Sequence, residues 1–218
     1  MRIAYIVLTC RQYQLTRTAW QKATIFSGTD RSDIYYLGSC NDEGERIFSW
    51  GAKDDYLSLP YKVLDFFKHS ALDYDWYFLM DDDTYVLTNR LQKHVDQLSV
   101  DPQEELYSEG FILDHLAHTE WGAYYSGGAG TLFTSAMYKA LQEKIRELPK
   151  DYVVPHWCAD ITLGLWINEL PKSKMIHTTN YHYSRANEYK DNLVEALTFH
   201  HLSNRDDFIW HHHLLTSK

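Results

Sequence analysis

Asp81, Asp82 and Asp83 stand side by side at the end of an apolar run, Trp76-Tyr77-Phe78-Leu79-Met80. Three adjacent like charges repel one another and require a compensating cation. Oxygen ligands gathered at one point suit a hard divalent ion such as Mn²⁺ or Mg²⁺. A solvated acidic loop has the same composition, but it has no need of a buried strand leading into it. A fourth carboxylate, Asp160, opens an apolar segment that runs to Leu170. It reads either as a charge stabilising a helix N-terminus or as a lone general base directed into a pocket. His200 and His201 lie between Phe199 and Leu202, so one imidazole is expected to be buried and able to bind metal. The triplet His211-His212-His213 reads instead as a solvated terminus that could bind metal adventitiously. In Ser126-Gly127-Gly128-Ala129-Gly130, three glycines let the backbone pass close to a ligand or take positive φ. No Lys-Ser/Thr follows, so this is not a phosphate loop. Beside Tyr124 and Tyr125 it could wall a sugar pocket.

These groups need elements to hold them. Ile3–Leu8 and residues 33–38 read as strands, and the run before Asp81 as a third strand, buried on both faces. Apolar residues at helical spacing place helices over 15–26, from Pro60 to Leu72, and over 89–98. The β-α-β-α-β order implies a parallel sheet with right-handed crossovers. Acids at the carboxyl end of such a strand sit where open α/β sheets place their ligands. Residues 39–53 read as loop. Farther on, 105–113 hold one or two strands, 135–148 and 158–170 are helices stopped by Pro149 and Pro171, and 175–178 could form a strand. No repeat or linker divides the chain, so residues 1–218 read as a single α/β domain.

Bulk composition narrows the function. A net charge of −9 argues against nucleic-acid binding, which needs a basic face. No segment approaches the roughly 20 apolar residues of a membrane span, and the first residues lack the long apolar core of a signal peptide. Cys10, Cys40 and Cys158 are odd in number and widely spaced, which predicts free thiols and a reducing compartment.

Five blocks, in order, resemble the β1,3-transferring Fringe and core-1 galactosyltransferase group. They are Thr9 through Trp20, Tyr61-Lys62 with the Asp75–Val86 block, Tyr125 through Gly130, Ala159-Asp160-Ile161-Thr162-Leu163-Gly164, and Phe199 through Leu202. The resemblance departs at Ala159, where the family has a further acid, and in the missing cysteine pairs, anchor and stem. It implies a GT-A-type nucleotide-sugar-binding domain with a mainly parallel central sheet flanked by helices. It also implies a metal-dependent, inverting transfer of galactose or N-acetylglucosamine from a UDP-sugar to a hydroxyl of a glycan or glycosylated acceptor, forming a β1,3 linkage. By that resemblance Asp160 is the base, and Asp81, Asp83 and His200 or His201 hold Mn²⁺ or Mg²⁺. Thr9, Arg17, Asp82, Gly127 and Gly128 contact the nucleotide sugar, and Tyr125 and Trp157 stack on sugars. The expected setting is the cytoplasm of a bacterial or viral source, with a soluble fragment of a Golgi enzyme as the alternative. Two other functions stay open: a metal-dependent phosphotransferase or hydrolase, and a non-catalytic glycan-binding module on a transferase scaffold.

Overall fold

The computed structural model describes residues 1–189 and 193–216. Among these described residues there are eleven strands: β1 Ile3–Leu8, β2 Ile34–Leu37, β3 Ile47–Phe48, β4 Trp76–Asp81, β5 Tyr85–Val86, β6 Tyr107–Gly110, β7 Ile112–Leu113, β8 Tyr124–Tyr125, β9 Thr131–Thr134, β10 Lys174–His177 and β11 Thr198–Phe199. Six helices join them: α1 Arg17–Ala23, α2 Leu59–His69, α3 Thr88–Gln97, α4 Ser135–Arg146, α5 Ala159–Asn168 and α6 Arg205–Thr216. Seven strands form the central sheet in the order β10-β6-β9-β4-β1-β2-β3. All neighbouring pairs are parallel except the two made by β9, which runs against β4 and β6. The expected α/β domain with a mainly parallel sheet between helices is therefore what the chain forms.

β1 and β4 lie at the centre because they are apolar on both faces. Their register sets Tyr5 beside Phe78 and Leu8 beside Asp81. Side chains alternate across a strand, so Tyr5, Val7, Trp76, Phe78 and Met80 join one core with Leu91 and Val95 of α3 and Phe208 of α6. Ala4, Ile6, Tyr77 and Leu79 join the opposite core with Val63, Phe66 and Phe67 of α2 and Met137 and Leu141 of α4. Pro60 stands in the first turn of α2, where its missing N–H costs no helical hydrogen bond. The Thr134 side chain caps α4 by accepting the Met137 N–H at 3.2 Å.

Three expectations are corrected. Residues 39–53 are not all loop, because β3 extends the sheet beside β2. α1 is shorter than expected and stops at Ala23, where Thr24 leaves helical geometry and turns back its N–H to Gln21. The histidine triplet is not a solvated terminus. It lies in α6, and His211 is 1% exposed. The His211 Nδ1–H donates to Asp207 O at 2.8 Å while Nε2 accepts the Ala186 N–H at 3.2 Å. Burial lowers its pKa, so it is a neutral core histidine. The three cysteines are free thiols.

Candidate active site

The site forms where the acid-ended β4 meets three later segments. The backbone leaves β4 at Asp81, and the next two carboxylates diverge. Asp82 is buried, and both its oxygens are engaged: Thr9 Oγ1 donates to one at 2.7 Å and Arg17 to the other at 2.6 Å. It thereby orders Thr9 and Arg17 while itself bordering the cleft beside them. The Arg17 guanidinium also lies 3.6 Å from Asp83 and stacks 3.7 Å from the centre of the Tyr13 ring. Its Nε is buried without a hydrogen-bond partner. Thr9 is fixed further by Lys62, whose ammonium donates to Thr9 O at 2.8 Å and to Asp54 at 2.7 Å. Tyr13 and Lys62 were not readable as site residues, because their roles depend on contacts across the fold. A cleft of ≈ 480 Å³ opens here, lined by Thr9, Tyr13, Arg17, Tyr56, Asp81 and His201 among others.

Asp83, besides its approach to Arg17, meets a histidine. His200 Nε2 lies 3.1 Å from its carboxylate and 3.9 Å from that of Asp81. Ligand atoms of Asp83, His200 and His201 all fall within 4.8 Å of one another. Consecutive residues of an extended chain face opposite ways, so two adjacent imidazoles cannot ordinarily share a site. They do here because His201 takes a left-handed conformation, φ 66°. That turn brings the two rings to 3.9 Å between centres. A non-glycine residue held in this region is strained by on the order of 1–3 kcal/mol, and the strain falls on the cluster itself.

Asp160 occupies the first turn of α5 and accepts the Gly127 N–H at 2.9 Å. It lines one cavity of ≈ 200 Å³ together with Asp81, His200 and His201. The glycine loop explains how these groups reach one another. A Cβ at Gly127 would lie inside 3.0 Å of the Asp160 carboxylate, and one at Gly128 inside 3.0 Å of three ring atoms of His200. The glycines thus make room for the base candidate and the imidazole, and each also borders a cavity at Asp160. Gly130 has φ 88° and faces the Phe78 ring, so it too has no room for a side chain. Thr84 and Thr198 hold the loop by donating to Gly128 O at 2.8 Å and Ala129 O at 2.6 Å.

The charged groups of the site shift one another. Burial, then the neighbouring Asp160 and Asp83, push Asp81 well above the usual carboxylate range. Burial likewise raises Asp160, against the opposing Gly127 hydrogen bond and His200 charge. Burial would raise Asp83 as well, but its contact with His200, then Arg17 and His201, bring it below the ordinary value. His200 is raised, with burial opposed by Asp83 and Asp81. Asp81, Asp82, Asp83 and Asp160 converge here with Arg17, His200 and His201, and the carboxylate and imidazole donors gathered there fit a divalent cation.

The remaining sequence expectations divide. Trp157 is 53% exposed at the rim of the cavity, its ring 6.0 Å from that of Tyr56, itself 68% exposed. Tyr125 is not available as a stacking platform. It is 2% exposed in the core, and its hydroxyl donates to Ser108 O at 2.8 Å.

No protein-family model matches the chain. Among curated proteins, human chondroitin sulfate glucuronyltransferase is 35% identical over 144 residues, which span 65% of this chain but only 18% of that protein. Solved structures are similar over nearly the whole chain. A glycosyltransferase involved in glycosylating the major capsid of PBCV-1 superposes with TM-score 0.56 at 12% identity, covering 98% of this chain and all of that one. The galactosyltransferase LgtC, solved with donor and acceptor sugar analogues, gives 0.52 at 15% identity over 100% of this chain and 94% of its own. The fold is that of GT-A glycosyltransferases. Among the described residues no helix is long and apolar enough to cross a membrane.

Proposed function

We propose that the chain is a metal-dependent, inverting glycosyltransferase. It takes galactose or N-acetylglucosamine from a UDP-sugar and passes it to a hydroxyl of a glycan or glycosylated acceptor, forming a β1,3 linkage. The observation that carries this reading is the shared cavity: Asp160 lines it with Asp81, His200 and His201, so a base and a cation cluster face one space. Asp83, His200 and His201 would hold the ion, with Asp81 beside them, and the mixed carboxylate and imidazole set favours Mn²⁺ over Mg²⁺. When bound, the ion supplies Lewis-acid neutralisation of a diphosphate leaving group. Arg17, already ordered by Asp82, lines the cleft where it would meet that same charge, and Thr9 borders the nucleotide cleft. Asp160 receives the proton of the attacking hydroxyl. Burial raises its affinity for a proton, the direction that favours a general base. Trp157, exposed at the rim, offers an apolar face to the acceptor sugar. The linkage and the donor pair follow the Fringe-group resemblance of the sequence blocks. The glucuronyltransferase similarity and the shared fold support the transferase class.

Calorimetry of UDP in Mn²⁺ and in chelator tests the reading, together with a UDP-release assay on neutral glycan acceptors. We expect UDP affinity to fall at least about ten-fold without the ion, because the acids then repel the diphosphate. Equal affinity in both buffers would remove the metal from the proposal.

A further inference from the structure

Three exposed aromatic residues, Tyr56, Trp157 and Tyr183, line the cavity that holds Asp160. Large exposed rings gathered at one site mark contact with a ligand rather than with the core. Their neighbours differ. The Tyr183 ring rests 4.8 Å from Phe111, which packs on the core. The Trp157 ring instead stacks on His156 at 5.3 Å, and His156 meets Trp121 edge-on at 4.9 Å. With Tyr56 at 6.0 Å from Trp157, four rings form one continuous row that starts at the cavity and ends on the segment before β8. Trp157 stays largely exposed within that row, and His156 and Trp121 are half-buried.

Helix α5 holds this row against the base candidate. Asp160 stands in its first turn. His156 is tied to the same turn twice: its Nδ1 accepts the Cys158 N–H at 3.0 Å, and its carbonyl accepts the Thr162 hydroxyl at 2.8 Å. The loop that carries Trp121 is tied to the other end of α5, where Asn168 donates to Ala123 O at 2.9 Å. Gly164 lets that loop lie close, because a Cβ there would fall 2.5 Å from the Cβ of Tyr124. Within the loop, the Trp121 N–H donates to Thr119 Oγ1 at 3.2 Å. The rings are therefore fixed relative to the carboxylate that would receive the acceptor proton.

Resting on the transferase reading, we propose that His156 and Trp121 form a remote acceptor subsite, and that the acceptor is an oligosaccharide bound over several sugar units rather than a single sugar carried on a polypeptide. A pyranose has an apolar C–H face that suits an aromatic ring. Its repeat along a chain is similar to the steps of 4.9, 5.3 and 6.0 Å between these rings. The terminal unit then brings its hydroxyl to Asp160, and the units behind it lie along Trp157, His156 and Trp121. A polypeptide fits this surface less well. Its backbone N–H and C=O groups need partners, which peptide-binding surfaces supply from a sheet edge, whereas this row offers ring carbon.

The test measures, by calorimetry on the full chain in Mn²⁺ and UDP, the binding of two series. One is β1,4-linked N-acetylglucosamine oligomers of one to four units, the other N-acetyllactosamine oligomers of two and four. A threonine glycopeptide carrying a single N-acetylgalactosamine is the comparison. We expect the tetrasaccharide of at least one series to bind at least about ten-fold more tightly than the shortest member of that series. In Trp121→Ala this ratio should fall toward one, and Trp121→Phe, which keeps a ring, should retain most of it. A merely structural role for Trp121 would lower every member alike and leave the ratio unchanged, which overturns the subsite. Equal affinity along both series, or no measurable binding of either, overturns it too, as does a glycopeptide that binds more tightly than both tetrasaccharides. In each of those cases, UDP binding in Mn²⁺ leaves the transferase reading intact. Failure of UDP itself to bind overturns that reading and the subsite with it.

Discussion

Gly128→Ala puts a single methyl group against the candidate metal ligand His200, and its effect can be worked from the geometry. The added Cβ would sit inside 3.0 Å of Cε1, Nδ1 and Nε2, whereas ordinary contact begins at 3.4 Å. The ring must therefore retreat by about 1 Å to reach a normal van der Waals separation. It has little freedom to do so without loss, because Nε2 is 3.1 Å from Asp83 and the ring lies 3.9 Å from that of His201. Metal ligation tolerates distance errors of only about 0.2 Å. A shift several times larger should weaken Mn²⁺ binding by about 10- to 100-fold, the range found when a ligand loses its support. The cost to the fold is separate and smaller. Overpacking of this kind costs about 1–3 kcal/mol, and each kcal/mol lowers the melting temperature by about 2–4 °C at this chain length. Titrating Mn²⁺ against the UDP complex, alongside melting curves, reads both quantities. Gly28→Ala is the control, since a Cβ there meets nothing within 4 Å. Wild-type Mn²⁺ affinity in a folded Gly128→Ala protein would refute the assignment of His200 as a ligand.

Two further predictions rest on other groups. Asp160→Asn retains shape but cannot take a proton, so transfer should fall by about 10²- to 10⁴-fold with UDP affinity and melting temperature near wild type; a helix-start charge with no catalytic part would leave the rate intact. Glu109, 2% exposed, is held by His94 at 2.6 Å, Tyr107 at 2.6 Å and Tyr181 at 2.8 Å. Burial would raise its pKa, but those hydrogen bonds and the His94 charge outweigh burial and lower it. A carboxylate with a lowered folded pKa contributes stability that is present above its unfolded value, about 4.3, and lost as pH falls through the folded one. Wild type should therefore lose more stability than Glu109→Gln between neutral pH and pH about 3 in denaturant titrations, and parallel losses would show that Glu109 carries no such contribution.

What could be read in the sequence follows the range of each signal. β1 and β4 are six residues each, β1 apolar throughout and β4 apolar up to Asp81, which a local window detects, and the acid that ends β4 marks its ligand-facing end. Two-residue strands such as β3, β5 and β11 make no periodic pattern, so their pairing had to come from the fold. Tyr125 was misread because an aromatic residue beside glycines looks like a platform when its burial is unknown. The histidine triplet did carry a usable signal. Phe208, His211 and Leu215 recur at helical spacing, and all three are buried on one face of α6. The left-handed turn at His201 had no such signal, since nothing in Phe199-His200-His201-Leu202 requires it.

The glycine loop connects these observations. Taken as a sequence, Gly127 and Gly128 suggest a backbone that must approach a ligand. In the fold the bodies that approach them are side chains of the protein, Asp160 from α5 and His200 from the segment after β11. The loop is in turn held by hydroxyls on β11 and just before β5, through Thr198 and Thr84. The base candidate and the metal-ligand candidate are separated by forty residues in the chain, Asp160 to His200, yet each is seated against an adjacent residue of one short turn. Their separation is thereby set by loop backbone, which has few soft degrees of freedom, rather than by two long side chains. A site that must keep a proton acceptor at fixed distance from a leaving group gains most from such a support. Loss of either glycine should therefore disturb the relation between the two groups before it disturbs the fold.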